Sequence, residues 1–188
     1  MLTKWNRYRY NNLCLSGVML LFVNLKDLAA KGNKSVLSET LDLSDLLTDR
    51  SDIAEFGTLC AELQANRQEG VTEVTGTLTL PLKLICSRCL SSVDETLQIP
   101  FRETFALRQS DIPKDEEDET HLISSEQVDL RPYVEGAVWM AIPYVPVCQE
   151  QCRGLCPVCG RNRNEDNCEC MQKRIDPRLA GLADFFQK

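Results

Sequence analysis

Eight of the ten cysteines in this 188-residue chain fall into two neighbourhoods. One is Cys86-Ser87-Arg88-Cys89. The other gathers Cys148, Cys152, Cys156, Cys159, Cys168 and Cys170 into 23 residues. Thiolates are soft donors, and zinc takes four of them in a tetrahedron when C-x₂₋₄-C pairs meet. Eight cysteines make two such sites, so the expected cofactor is a pair of structural Zn²⁺ ions. Within the second group, Cys156-Pro157-Val158-Cys159-Gly160 has the form of a zinc knuckle, in which backbone N–H groups converge on two thiolates. A disulfide framework is disfavoured in a chain without a credible secretion signal. A redox C-x-x-C belongs at a helix start in a βαβ pattern, which is absent here. Spacing alone does not separate zinc from an iron–sulfur cluster.

Reach decides how the eight pair. Cys156, Cys159, Cys168 and Cys170 close locally, which leaves Cys148 and Cys152 to cross to Cys86 and Cys89. The competing arrangement joins Cys86 and Cys89 to Cys156 and Cys159, as in a zinc ribbon. The first is favoured. Cys14 and Cys60 stand apart and read as small buried hydrophobes. Arg88, Arg153, Arg161 and Arg163 lie near the thiolates in sequence and could offset their charge.

The donor set argues against catalysis. A catalytic zinc keeps a position open and draws on histidine or carboxylate ligands. His121 is the single histidine and reads as a loop residue. No phosphate loop, dinucleotide fingerprint or nucleophile elbow appears. The chain is therefore expected not to be an enzyme, and no small-molecule substrate is implied.

Charge narrows the partners. The net charge of −7 speaks against a general basic coat for nucleic acid. Eight acids between Asp111 and Asp129, against Lys114, account for it, and the rest of the chain is neutral; Lys114–Glu119 reads as a solvated acidic loop.

The expected fold class is α+β: an antiparallel, sheet-rich domain with one main helix and a Cys-rich zinc-knuckle tail at the C-terminus. Residues 1–18 carry Lys4, Arg7 and Arg9 without an acid and read as a disordered extension, with Met19 an alternative start. The apolar run Leu20–Val23 is too short for a membrane span. Residues 19–147 form the β-rich domain, and residues 148–188 the metal-binding tail packed on it. Strands are expected at Leu21–Asn24, Ser38–Leu43, Leu59–Arg67, Val71–Ile85 and Leu97–Arg108, with a helical turn at Leu25–Ala30. Gly76 and Pro81 point to a bulge or an edge in the long strand. Residues 109–125 read as an irregular loop. A helix is expected over Val128–Ile142, capped by Asp129, with Pro132 in its first turn and Trp139 in the core. The protein is expected to be soluble and cytoplasmic.

Three stretches, in this order, resemble a known family. They are Leu84-Ile85-Cys86-Ser87-Arg88-Cys89-Leu90; then Ile142-Pro143-Tyr144-Val145-Pro146-Val147-Cys148; then Cys152 to Asn164 with Cys168-Glu169-Cys170 and Asp176-Pro177-Arg178-Leu179. The likeness is to the YceD family, the large ribosomal RNA subunit accumulation proteins of bacteria and plastids. It covers about residues 20–188 and is most specific at the cysteine-rich end. The resemblance implies a role in ribosome assembly. The implied partner is large-subunit ribosomal RNA or a pre-ribosomal particle, with a link to a small ribosomal protein of the large subunit. It supplies no catalytic residues. Arg153, Arg161, Arg163, Lys173, Arg174 and Arg178, with Asn162 and Asn164 among them, are candidates for contact with RNA. The alternative is a zinc-stabilised protein–protein adaptor unrelated to ribosomes.

Overall fold

The computed structural model describes residues 21–30, 32–112 and 120–170. Among these, one compact unit comprises the residues up to Leu84 together with Asp94–Tyr144, and a second comprises Ile85–Val93 with Val145 onward. A boundary drawn at 147/148 from sequence leaves the Cys86–Cys89 segment with the sheet; in the structure that segment groups with the tail.

The first unit is built on strands. β1 (Phe22–Asn24) runs directly into α1 (Leu25–Ala30), and β2 is Lys34–Leu41. A one-turn helix, α2 (Ser44–Leu47), leads to β3 (Ile53–Phe56). The long strands β4 (Leu59–Gln68), β5 (Val71–Ile85) and β6 (Ser92–Ala106) follow, then β7 (Thr120–Leu122), β8 (Gln127–Asp129) and α3 (Arg131–Ala141). The main sheet has the order β2-β4-β5-β6-β7, with β3 also pairing β5, while β1 and β8 form a separate two-stranded ladder.

Period-two alternation explains which face of β4 is buried. Leu59, Ala61, Leu63 and Ala65 point into the core, where they join Val74, Leu78, Leu80, Leu82 and Leu84 of β5 and Phe101 and Phe105 of β6. Burial of this one apolar face is the main favourable term for the unit. Glu69 and Gly70, both at positive φ, turn β4 into β5.

Several elements depart from the sequence reading. β2 begins at Lys34 rather than Ser38, because its antiparallel ladder with β4 extends from Leu41↔Leu59 to Lys34↔Asn66. β6 begins at Ser92 rather than Leu97. α2 and β3 lay no apolar period long enough to be read. Gly76 is not at a bulge, and β5 is not an edge: the β4–β5 register runs unbroken through Leu63↔Gly76. A Cβ at Gly76 would lie 2.0 Å from the Glu62 carbonyl oxygen, so glycine there permits close approach of two strands. Pro81 sits where β5 changes partner from β4 to β3, and its carbonyl accepts the Gly57 N–H at 2.9 Å. Proline is tolerated because the ladder is interrupted there.

The sheet is not wholly antiparallel. Residues 109–125 include a 3₁₀ turn at Gln109–Asp111 and β7, which pairs parallel to β6 through Phe105↔His121. His121 is thus a strand residue, not a loop residue. Its Nε2 lies 2.7 Å from Glu103 Oε2, and its ring packs against Phe105 and Tyr133. Residues 113–119, most of the acidic run, lie outside the described residues.

The helix starts three residues later than expected. Val128 and Asp129 belong to β8, held by Val23↔Val128 and Phe22↔Asp129. Leu130 is the N-cap, while Asp129 Oδ1 still accepts the Arg131 N–H at 2.9 Å. Val134 and Val138 face the core. Trp139 does not: it is 48% exposed, one residue past the buried stripe, and stacks with the Arg50 guanidinium at 5.1 Å. Cys60 is half-buried rather than fully buried as expected. Cys14 and residues 1–18 lie outside the described residues. No helix among those described is long and apolar enough to cross a membrane.

Candidate metal centre

The second unit is assembled from two copies of one turn. In the first, Cys86 N–H donates to the Ser91 carbonyl at 2.9 Å, and Leu90 N–H donates to the Cys86 carbonyl at 2.9 Å. In the second, Cys156 N–H donates to the Arg161 carbonyl and Gly160 N–H to the Cys156 carbonyl, both at 2.8 Å. The residue after the second cysteine is left-handed in each, with φ of 59° at Leu90 and 73° at Gly160. The glycine marks the second knuckle in the sequence; the leucine hides the first.

Each knuckle meets a second cysteine pair. The sulfurs of Cys86, Cys89, Cys148 and Cys152 all lie within 4.8 Å of one another, as do those of Cys156, Cys159, Cys168 and Cys170. This is the pairing that chain reach favoured, and the ribbon arrangement is excluded. The eight are free thiols. The Cys86–Cys152 and Cys89–Cys148 sulfurs stand 3.8 and 3.5 Å apart, far beyond a disulfide bond of about 2.05 Å. Four sulfurs about 2.3 Å from one ion in a tetrahedron would sit about 3.8 Å apart. The spacing and the all-thiol donor set therefore fit a tetrahedral soft cation.

Within each set some thiols are pulled down and others pushed up. Burial pushes the Cys86 thiol up, but N–H groups of Cys89, Arg88 and Cys148 outweigh it and bring it down to about 6. The N–H groups of Cys159 and Val158, helped by the Cys168 thiol, bring Cys156 to about 6. Cys152 is opposed by burial yet lowered by the Asn164 amide and the Gly154 N–H. The proton is held elsewhere in each set. The neighbouring Cys152 sulfur and burial push Cys148 up to about 12, and the Cys159 sulfur does the same for Cys170. A bound cation would replace those shared protons.

Sequence reasoning missed the supports around the first set. Asn164 Nδ2 donates to Cys152 Sγ at 3.3 Å, and its Oδ1 accepts the Arg153 N–H at 2.8 Å. Asn162 Oδ1 accepts from both the N–H and the Nδ2 of Asn164. These asparagines brace the site rather than stand free beside it. Arg88 is also committed: its Nη1 donates to the carbonyls of Glu150 and Cys152 at 3.3 and 3.2 Å, not to a thiolate. Val93, Val147 and Leu155 pack around the buried Cys86, Cys89 and Cys152. Among the candidate RNA contacts, Arg153 and Arg161 are exposed and Arg163 is half-buried. Lys173, Arg174 and Arg178 lie outside the described residues.

Residues 74–186, which include all eight of these cysteines, match the family model described as large ribosomal RNA subunit accumulation protein YceD. A Mycobacterium tuberculosis protein named as uncharacterized is 38% identical over 64% of this chain and 59% of its own length. YlbN of Bacillus subtilis, also named as uncharacterized, is 28% identical over 80% of this chain and 87% of its own. A chloroplastic Arabidopsis thaliana homologue, named as a large ribosomal RNA subunit accumulation protein, is 29% identical over 39% of this chain and 23% of its own. The chain thus spans about three fifths of the mycobacterial relatives it matches. No solved structure matches. With its family model covering both four-cysteine clusters and the sheet from Val74 of β5 through β7, the chain belongs to the YceD family.

Proposed function

We propose that this protein is a ribosome-assembly factor that supports accumulation of large-subunit ribosomal RNA. The carrying observation is family membership over residues 74–186, supported by the name of the Arabidopsis relative. It works as a non-catalytic binding protein that joins a large-subunit precursor through ribosomal RNA or a small ribosomal protein. Such work belongs in the cytoplasm, where ribosomal particles are put together.

Two structural Zn²⁺ ions complete the reading. Cys86, Cys89, Cys148 and Cys152 hold one, and Cys156, Cys159, Cys168 and Cys170 the other. Four thiolates fill a tetrahedral ion and leave no position for water or substrate, which favours a structural over a catalytic role. The ions supply cross-links to a segment with few apolar side chains of its own. The chain's part is to aim N–H groups at the thiolates and to keep Asn164 and Arg88 in place around them.

Depletion of the protein should lower the ratio of large- to small-subunit ribosomal RNA. An unchanged ratio would remove the ribosomal reading and leave a metal-pinned adaptor. Elemental analysis of protein purified without added metal should find about two zinc ions per chain. Folded protein free of metal would end that part of the proposal.

A further inference from the structure

Leu90 breaks two rules at once. Its backbone is left-handed, at φ 59°, where the twin knuckle carries Gly160. Its side chain is 64% exposed, so no burial offsets the strain. The turn itself accounts for the backbone, since the Leu90 N–H donates to the Cys86 carbonyl, but glycine would serve that turn with less strain; an exposed leucine kept there is the kind of outlier that points to function. The second knuckle presents Val158 in the same unit, 61% exposed. Each turn thus offers an aliphatic side chain to the outside.

Charge says what such a tip can meet. The described part of this unit carries Arg88, Arg153, Arg161 and Arg163 against Glu150, Glu165, Asp166 and Glu169. Each zinc ion on four thiolates adds about −2. Arg88 is spent on backbone carbonyls, and Arg153 Nη1 reaches Asn167 Oδ1 at 3.4 Å. With two such ions the counted part of this unit is anionic, and although residues 171–188 carry four basic against two acidic residues, the chain as a whole is anionic at −7. A polyphosphate would be repelled, and RNA offers no apolar socket for a leucine. A basic polypeptide with an apolar socket meets both demands.

We propose that Leu90 is the anchor of a protein-docking surface on the cysteine-rich unit, and that its partner is a basic polypeptide of the large-subunit precursor. This rests on the ribosomal reading above and narrows its partner from RNA or protein to protein.

The test uses the full-length zinc-loaded protein and two probes: deproteinised large-subunit ribosomal RNA, and the protein fraction extracted from purified large subunits. Wild type should bind a basic protein in that fraction and not the naked RNA. Leu90→Gly relieves the backbone and Leu90→Asn keeps a left-handed preference without the apolar group. Both should weaken that binding about tenfold, with zinc content unchanged and thermal stability not lowered. Leu90→Met should retain it. Equal binding by the glycine and asparagine variants overturns the proposal. Binding to naked RNA alone overturns it as well, while leaving the assembly role standing. Binding to neither probe overturns it, and an unchanged ribosomal RNA ratio would show that the assembly role has fallen too.

Discussion

Replacing Asn164 by alanine removes the amide that donates to Cys152 Sγ and the carbonyl that accepts the Arg153 N–H. Groups of this kind orient ligands, and their loss costs about 10–100-fold in metal affinity. Competition with a chromophoric chelator should show such a drop for one of two ions, the one at Cys86, Cys89, Cys148 and Cys152. Two equally weakened ions would count against the assignment. Leu90→Gly carries the opposite sign. A leucine in the left-handed region costs about 1 kcal/mol, so the variant should raise the melting temperature of the metal-loaded protein. What was legible at this scale is chemistry. A thiol's affinity for soft cations belongs to the residue, so all eight cysteines could be singled out. The roles of Asn162, Asn164 and Arg88 were not legible, because each depends on which backbone comes to lie beside it. Trp139 failed for a related reason: apolar character does not say which side of a helix has a partner.

β5 shows what can be read from an element and what cannot. Its valines, threonines and leucines at period two mark Val71–Ile85 as a strand without any knowledge of neighbours. The role of its glycine does depend on a neighbour. Gly76→Ala would force a Cβ to within 2.0 Å of the Glu62 carbonyl oxygen. Two paired backbones must then separate, at a cost of about 2 kcal/mol. Chemical denaturation should show a lower midpoint with an unchanged slope; an unchanged midpoint would mean the strands part freely. Short elements were illegible for the same reason that Gly76 was misread. β7 and β8 have three residues each, too few for a period, and form because β6 and β1 offer unpaired backbone. The helix start shifted to Arg131 because Val128 found Val23 across a ladder.

At the scale of the molecule, the two units should answer differently to loss of metal. The first has its own core of buried leucines, valines and phenylalanines, whereas the second is gathered around Cys86, Cys89 and Cys152 with three partly buried neighbours. Chelation under reducing conditions should expose the amides of Leu155, Cys156 and Gly160 to hydrogen exchange and leave those of β4 and β5 protected. Equal loss in both would show that the sheet depends on the ions. Acid should act like chelator. The Cys86 and Cys156 thiols are lowered from 9.0 to about 6. Stability tied to their thiolate forms is complete above 9.0 and is lost as pH falls through about 6. Bound metal follows the same sign, because protons compete for the sulfurs. A titration downward from about pH 8 should release zinc, and full retention in acid would argue against thiolate ligation. The sequence by itself determined which eight cysteines stand out, the family and the long strands, because thiol chemistry, motif spacing and side-chain alternation are local properties of the chain. Tertiary structure alone decided that Leu90 and Gly160 occupy twin turns. It also decided which four sulfurs share a centre and which asparagine guards one of them. Those facts depend on positions brought together across as many as 66 residues, and no local rule specifies such a meeting.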